Sequence, residues 1–155
     1  MAVAFGQLAR VAAVSALLLS PAAAQTSSSQ NAPLPDKPFA ERHLVLQLSD
    51  RAPDKQALVL SVAYNLLKAY DPDKIAIVVV AFGPGIDLLR AKSPNRAKVD
   101  SLISQGVQFD ICMNTVDTLE REGNHVDINP KAVRVQVGVA RILELAGKGY
   151  TLVRP

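Results

Sequence analysis

Cys112 is the only cysteine in the chain, and the N-terminus ahead of it reads as an export signal. In an oxidising compartment a single thiol closes no internal disulfide. Cys112 is then a buried apolar filler, an intermolecular cross-link or a reactive group. The stretch Gly106-Val107-Gln108-Phe109-Asp110-Ile111-Cys112-Met113-Asn114-Thr115 reads as a strand that gives way to a helix at the sulfur. A cysteine just before a helix meets unpaired backbone N–H groups and the positive end of the helix dipole. Both favour thiolate, the nucleophilic form. Asn114 or Thr115 would cap that helix. The chemistry on offer is a sulfur nucleophile. The competing reading, favoured on residue chemistry alone, is a small hydrophobe closing a buried strand after Phe109 and Ile111, because free Cys is among the most buried residue types.

Other chemistry is thin. The histidines, His43 and His125, fall at a strand start and in a loop. With one cysteine and no tight spacing they give no metal site. His125 as a base for Cys112 competes with a solvated loop histidine. Gly83-Pro84-Gly85 lacks the third glycine and the acidic residue of a dinucleotide loop, so it reads as a tight turn rather than a phosphate cradle. No nucleophile elbow or Walker loop is present, and no cofactor is expected. Asp110 and Asp117 are expected to be solvated. Asn65 lies on or beside the apolar stripe of a helix. It either bonds a loop at the strand ends or faces water.

These residues need elements to position them. His43–Ser49, Ile75–Phe82, Val107–Cys112, Ala132–Val135 and Tyr150–Val153 read as strands. The second is apolar on both faces, as in the centre of a parallel sheet. Helices are expected from Asp54, as a cap, to about Tyr70; from Ser93-Pro94, as cap and first helical residue, to Gln105; from Met113 to about Glu122; and from Val137 to Ala146. A short helical turn is expected over Ile86–Arg90. Strand–helix alternation of this kind implies an α/β fold, one three-layer domain with a parallel sheet covered on both faces. Ligands collect outside the carboxyl ends of such strands. Ser49-Asp50, Gly83-Pro84-Gly85 and Cys112-Met113-Asn114 all fall there.

The chain has 155 residues, enough for a single domain. Residues 1–24 read as a signal peptide: Arg10, an apolar run Val11–Leu19, then Pro21 and Ala22-Ala23-Ala24. The run is too short to span a bilayer, so no membrane span is expected after cleavage. Residues 25–40, with Ser27-Ser28-Ser29 and Pro33, Pro35 and Pro38, read as a disordered linker, and 41–155 as the domain. Without Arg10 the balance is 16 basic to 14 acidic residues. That mild excess, with no basic stripe, points away from nucleic acid.

Five segments taken together resemble the DsrE/DsrF-like family, above all its exported bacterial members. They are His43–Ser49, Tyr64-Asn65-Leu66-Leu67, Ile77–Ile86 with its Phe82-Gly83-Pro84-Gly85, Gly106–Thr115, and Gly149–Pro155. The resemblance spans about Arg42 to Pro155. It implies a mostly parallel five-stranded sheet, assembly as a homo-oligomer (trimer or hexamer), and sulfur carried as a persulfide on a cysteine at the position of Cys112. Asn65, Gly83, Gly85, Asn114 and Thr115 would line or support that site. Export would make the protein periplasmic, with a periplasmic sulfur donor and acceptor. A non-catalytic oligomeric module that binds a small ligand, with Cys112 structural, is the alternative. A redox sensor working through an intermolecular disulfide is a weaker one.

Overall fold

The structure, a computed structural model, describes Met1 and residues 32–155. The expected signal peptide lies, apart from Met1, outside the described residues. The elements run β1 (Arg42–Leu48), α1 (Pro53–Tyr70), β2 (Ile75–Ala81), a 3-10 turn (Gly83–Leu89), α2 (Arg96–Ser104), β3 (Gln108–Cys112), α3 (Met113–Arg121), β4 (Val133–Val135), α4 (Gly138–Gly147) and β5 (Thr151–Val153). The five strands form one sheet in the order β4-β3-β2-β1-β5, and every pairing is parallel. The domain is the expected three-layer α/β domain.

β2 is central, and all seven of its residues are buried. Period-2 alternation divides the strand residues between two cores. Leu46, Leu48, Ile77, Val79, Phe109 and Ile111 face one side, where they pack with residues of α1, α2, α3 and the 3-10 turn. Val45, Ala76, Val78 and Val80 face the other, against Ile142 and Leu145 of α4 and Tyr150. His43 packs edge-on against Tyr150, with ring centroids 5.1 Å apart. α4 is thus the helix that covers the second face.

Two local expectations are corrected. α1 starts at Pro53, in the first-turn position where its missing N–H costs nothing, rather than being capped by Asp54. α2 starts at Arg96 rather than at Ser93-Pro94. The Arg90–Ile128 bridge and the Ala91 N–H to Asp127 carbonyl bond hold Arg90 extended, and the chain then turns through residues 91–95 before the helix begins. The Ser93 hydroxyl then accepts from the Asn95 N–H inside a turn.

The described part of the expected linker lies against the domain. The Pro33 carbonyl accepts from Gln108 and from Arg141, each at 2.8 Å. The Lys37 ammonium donates to the Pro72 carbonyl at 2.7 Å. Low apolar content predicts no burial, but these bonds use the backbone and a lysine rather than apolar side chains. Among the described residues no helix is long and apolar enough to cross a membrane.

Candidate functional site around Cys112

Cys112 ends β3 and stands at the N-cap of α3, but its side chain makes no bond to α3. Alternation decides where the sulfur goes. Phe109 and Ile111 point to the α1–α3 side, so Asp110 and Cys112 point to the α4 side. There the Gly138 N–H, the first of α4, donates to Cys112 Sγ at 3.2 Å. The thiol in turn donates to the Gln136 carbonyl at 3.7 Å. The helix start that meets the sulfur is therefore that of α4, not that of α3 as the sequence suggested. The site is covered: Cys112 is 5 % exposed.

Glycine at position 138 favours this approach. A Cβ there would stand 3.1 Å from Phe82 Cβ and 3.2 Å from Cys112 Cβ, tighter than ordinary contacts. The absence of a side chain lets the first turn of α4 sit on the sulfur and on Phe82.

Around this contact the structure brings several expected residues together. The Gly83 N–H donates to Thr115 Oγ1 at 3.0 Å, which fastens the end of β2 to the first turn of α3. The Asn114 N–H donates to the same Gln136 carbonyl that faces the sulfur. The Asn114 side chain accepts from the Gln136 amide at 2.8 Å, and Asp117 accepts from that amide at 3.2 Å. Gly85 sits behind the front line. Its N–H donates to the Phe82 carbonyl, and a Cβ there would collide with the Leu48 backbone. It is a packing glycine rather than an open cradle.

Asn65 is not part of this group. It is exposed on α1 and bonds Ser61 one turn earlier, at 3.5 Å. Its position follows from the direction of α1, which leaves the carboxyl edge of the sheet at Pro53. By its fourth turn it is far along the body of the domain. His125 is a solvated loop residue whose side chain is 85 % exposed, 3.9 Å from Glu120. It is in no position to serve a covered thiol.

Asp110 corrects the expectation that it is solvated. It is fully buried and paired with Arg141, whose Nε donates to Asp110 Oδ2 at 2.9 Å. Burial raises the Asp110 carboxyl above its ordinary range, with the Gln108 amide and the Arg141 guanidinium pulling the other way. Phe82, Gln136, Gly138 and Arg141 were all missed. The signal for two of them was present: Gly138, Arg141, Ile142 and Leu145 recur at helical spacing, so an arginine stands inside the apolar stripe of α4.

This fold and site define a small parallel α/β domain with a cysteine at the carboxyl edge of its sheet. Among solved structures the chain is similar to a protein of unknown function from Methanobacterium thermoautotrophicum. The two are 27 % identical, with a TM-score of 0.67 over 74 % of this chain and all of that one. No family model matches the chain. No curated protein matches it.

Proposed function

We propose that the protein is an exported, DsrE-like sulfur carrier that holds a persulfide on Cys112. The observation that carries this reading is the Gly138 N–H on Cys112 Sγ, at the start of a ten-residue helix. A helix N-terminus aims N–H dipoles at an anion, and the Gly138 N–H is placed to donate to a persulfide held on Cys112. The transfer needs no cofactor. The Cys112 thiolate attacks the outer sulfur of a donor persulfide or polysulfide. The new bond joins the two sulfurs, the donor's own S–S bond breaks, and the donor leaves as a thiolate. A thiolate acceptor then takes the outer sulfur from Cys112 in the same way, which restores the Cys112 thiolate. The periplasm would supply both partners.

The test is an intact mass after incubation with polysulfide. Wild type is expected to gain one sulfur atom and Cys112→Ser none. No gain on wild type, or an equal gain on both, rejects the carrier. The burial of Cys112 favours a second reading, in which the thiol is packing in an oligomeric ligand-binding module. Slow alkylation of the native thiol, together with stability lost in Cys112→Ser, would mark that case.

Self-assembly belongs to the same proposal. Ile142 and Leu145 of α4 face the sheet, whereas Val139 and Leu143 are exposed, Leu143 at 69 %. On the edge strand β5, Leu152 and Val153 are also exposed. Exposed apolar side chains on the helix and on a bare strand edge fit burial between copies, as a trimer or hexamer. Light scattering at micromolar concentration should give a multiple of the chain mass, and Leu143→Asp should lower it. A sharp monomer mass for wild type contradicts the assembly.

A further inference from the structure

Both faces of the Cys112 contact belong to elements that a second, deeper contact also joins. Asp110 and Cys112 are neighbours on the same face of β3, and Gly138 and Arg141 are one turn apart on the same face of α4. Each nitrogen of the Arg141 guanidinium donates a hydrogen bond. Its Nε donates to Asp110 Oδ2 at 2.9 Å, its Nη1 to Glu144 Oε2 at 2.9 Å and its Nη2 to the Pro33 carbonyl at 2.8 Å. Gln108 completes the cluster, donating to Asp110 Oδ1 at 2.7 Å and to the same Pro33 carbonyl at 2.8 Å. One side chain, itself almost wholly buried, thus joins strand, helix and N-terminal segment. A buried ion pair contributes little net stability over apolar residues of the same volume, so its distinctive contribution is geometry. The planar, forked guanidinium fixes distance and rotation together. α4 cannot roll or lift at Gly138 without disturbing the bonds at Arg141.

We propose that Arg141 is a positioning residue for Cys112: by tying Asp110 and the Pro33 carbonyl to α4 it holds the first turn of that helix over the sulfur, and its release exposes the thiol. The proposal rests on the reading of Cys112 as a reactive thiol that a partner must reach. The segment at Pro33 is part of the latch, because its carbonyl takes one arm of the guanidinium. Displacement of that segment by a partner would loosen α4 at Arg141, one turn from the helix start that covers the sulfur.

The test measures how fast iodoacetamide alkylates Cys112 in the folded full chain, followed by intact mass. Arg141→Met alone strands a buried carboxylate and risks failing to fold. The main variant is therefore Asp110→Asn with Arg141→Gln, which removes both charges and keeps a polar pair. It should be alkylated roughly ten-fold faster than wild type, or more, through local opening of α4. Arg141→Lys keeps a cation opposite Asp110 but loses the fork that reaches Glu144 and the Pro33 carbonyl, so its rate should stay well above that of wild type. Leu67→Ala, buried on the other face, should lower stability while leaving the rate within about two-fold of wild type. An unchanged rate in the double variant, a wild-type rate in Arg141→Lys, or an equal rise in Leu67→Ala overturns the proposal. Sulfur uptake is a separate readout. Its failure rejects the carrier while leaving the alkylation result, and so the positioning role, standing.

Discussion

Arg141→Met is expected to destabilise the domain by about 3–5 kcal/mol, the cost of removing one partner from a buried ion pair. Asp110 is fully buried, and without the guanidinium its remaining side-chain partner is the Gln108 amide. The Pro33 carbonyl loses one of its two donors, and Glu144 keeps only the Lys148 ammonium, at 2.6 Å. A domain of this size is typically stable by about 5–15 kcal/mol, so the loss is roughly a fifth of the total or more. Chemical denaturation measures it directly, as a lower midpoint with an unchanged slope. Asp110→Asn with Arg141→Gln should recover most of the loss, because no buried charge is left unpaired. A loss below about 1 kcal/mol in Arg141→Met would mean that water reaches Asp110, and the geometric account of α4 would fail with it.

Gly85→Ala is the second large effect. A Cβ at Gly85 would lie 2.3 Å from the Leu48 carbonyl oxygen and 2.7 Å from its carbon. Both are backbone atoms in the last residue of β1, so neither can swing aside as a side-chain tip would. Either the 3-10 turn lifts from the sheet or β1 shifts in register against β2. Overpacking of this kind costs roughly 1–3 kcal/mol where side chains can adjust, and this site should fall at or above the top of that range. Gly147→Ala is the matched control. It ends α4 with nothing within 4 Å of its Cβ, so alanine there should be neutral or stabilising by up to about 1 kcal/mol. Thermal midpoints of the two variants should move in opposite directions, or one should not move at all. A tolerated Gly85→Ala would show that the turn after β2 is loosely held, and with it the Gly83–Thr115 bond beside the sulfur.

The layout of the domain was legible because burial writes itself into the sequence. Ile75–Phe82 is apolar without alternation, and it became the central strand, covered on both sides. The alternation in β3 also carried information: Phe109 and Ile111 against Asp110 and Cys112 says that the acid and the thiol share a face. What that face meets was hidden. The partner of Asp110 lies 31 residues further on, in a helix whose side of the sheet depends on the connection that carries it there. The same topology moved the helix start that meets the sulfur from α3, adjacent in sequence, to α4, adjacent only in space. Asn65 failed for a related reason. Helical spacing placed it near the apolar stripe but said nothing of how far down the domain the fourth turn would carry it. Local capping signals at Asp54 and Ser93 lost to Pro53 and to a non-local bridge, as local preferences do when tertiary pairing competes.

The central claim is that Cys112 carries a sulfur atom that can be passed on, and cold cyanolysis measures that transfer most directly. Protein loaded with polysulfide and freed of excess reagent is treated with cyanide, which removes the outer sulfur of a persulfide as thiocyanate and leaves the cysteine thiolate. The account predicts close to one thiocyanate per wild-type chain and none from Cys112→Ser. Absence of thiocyanate from wild type, or the same amount from both proteins, would contradict it.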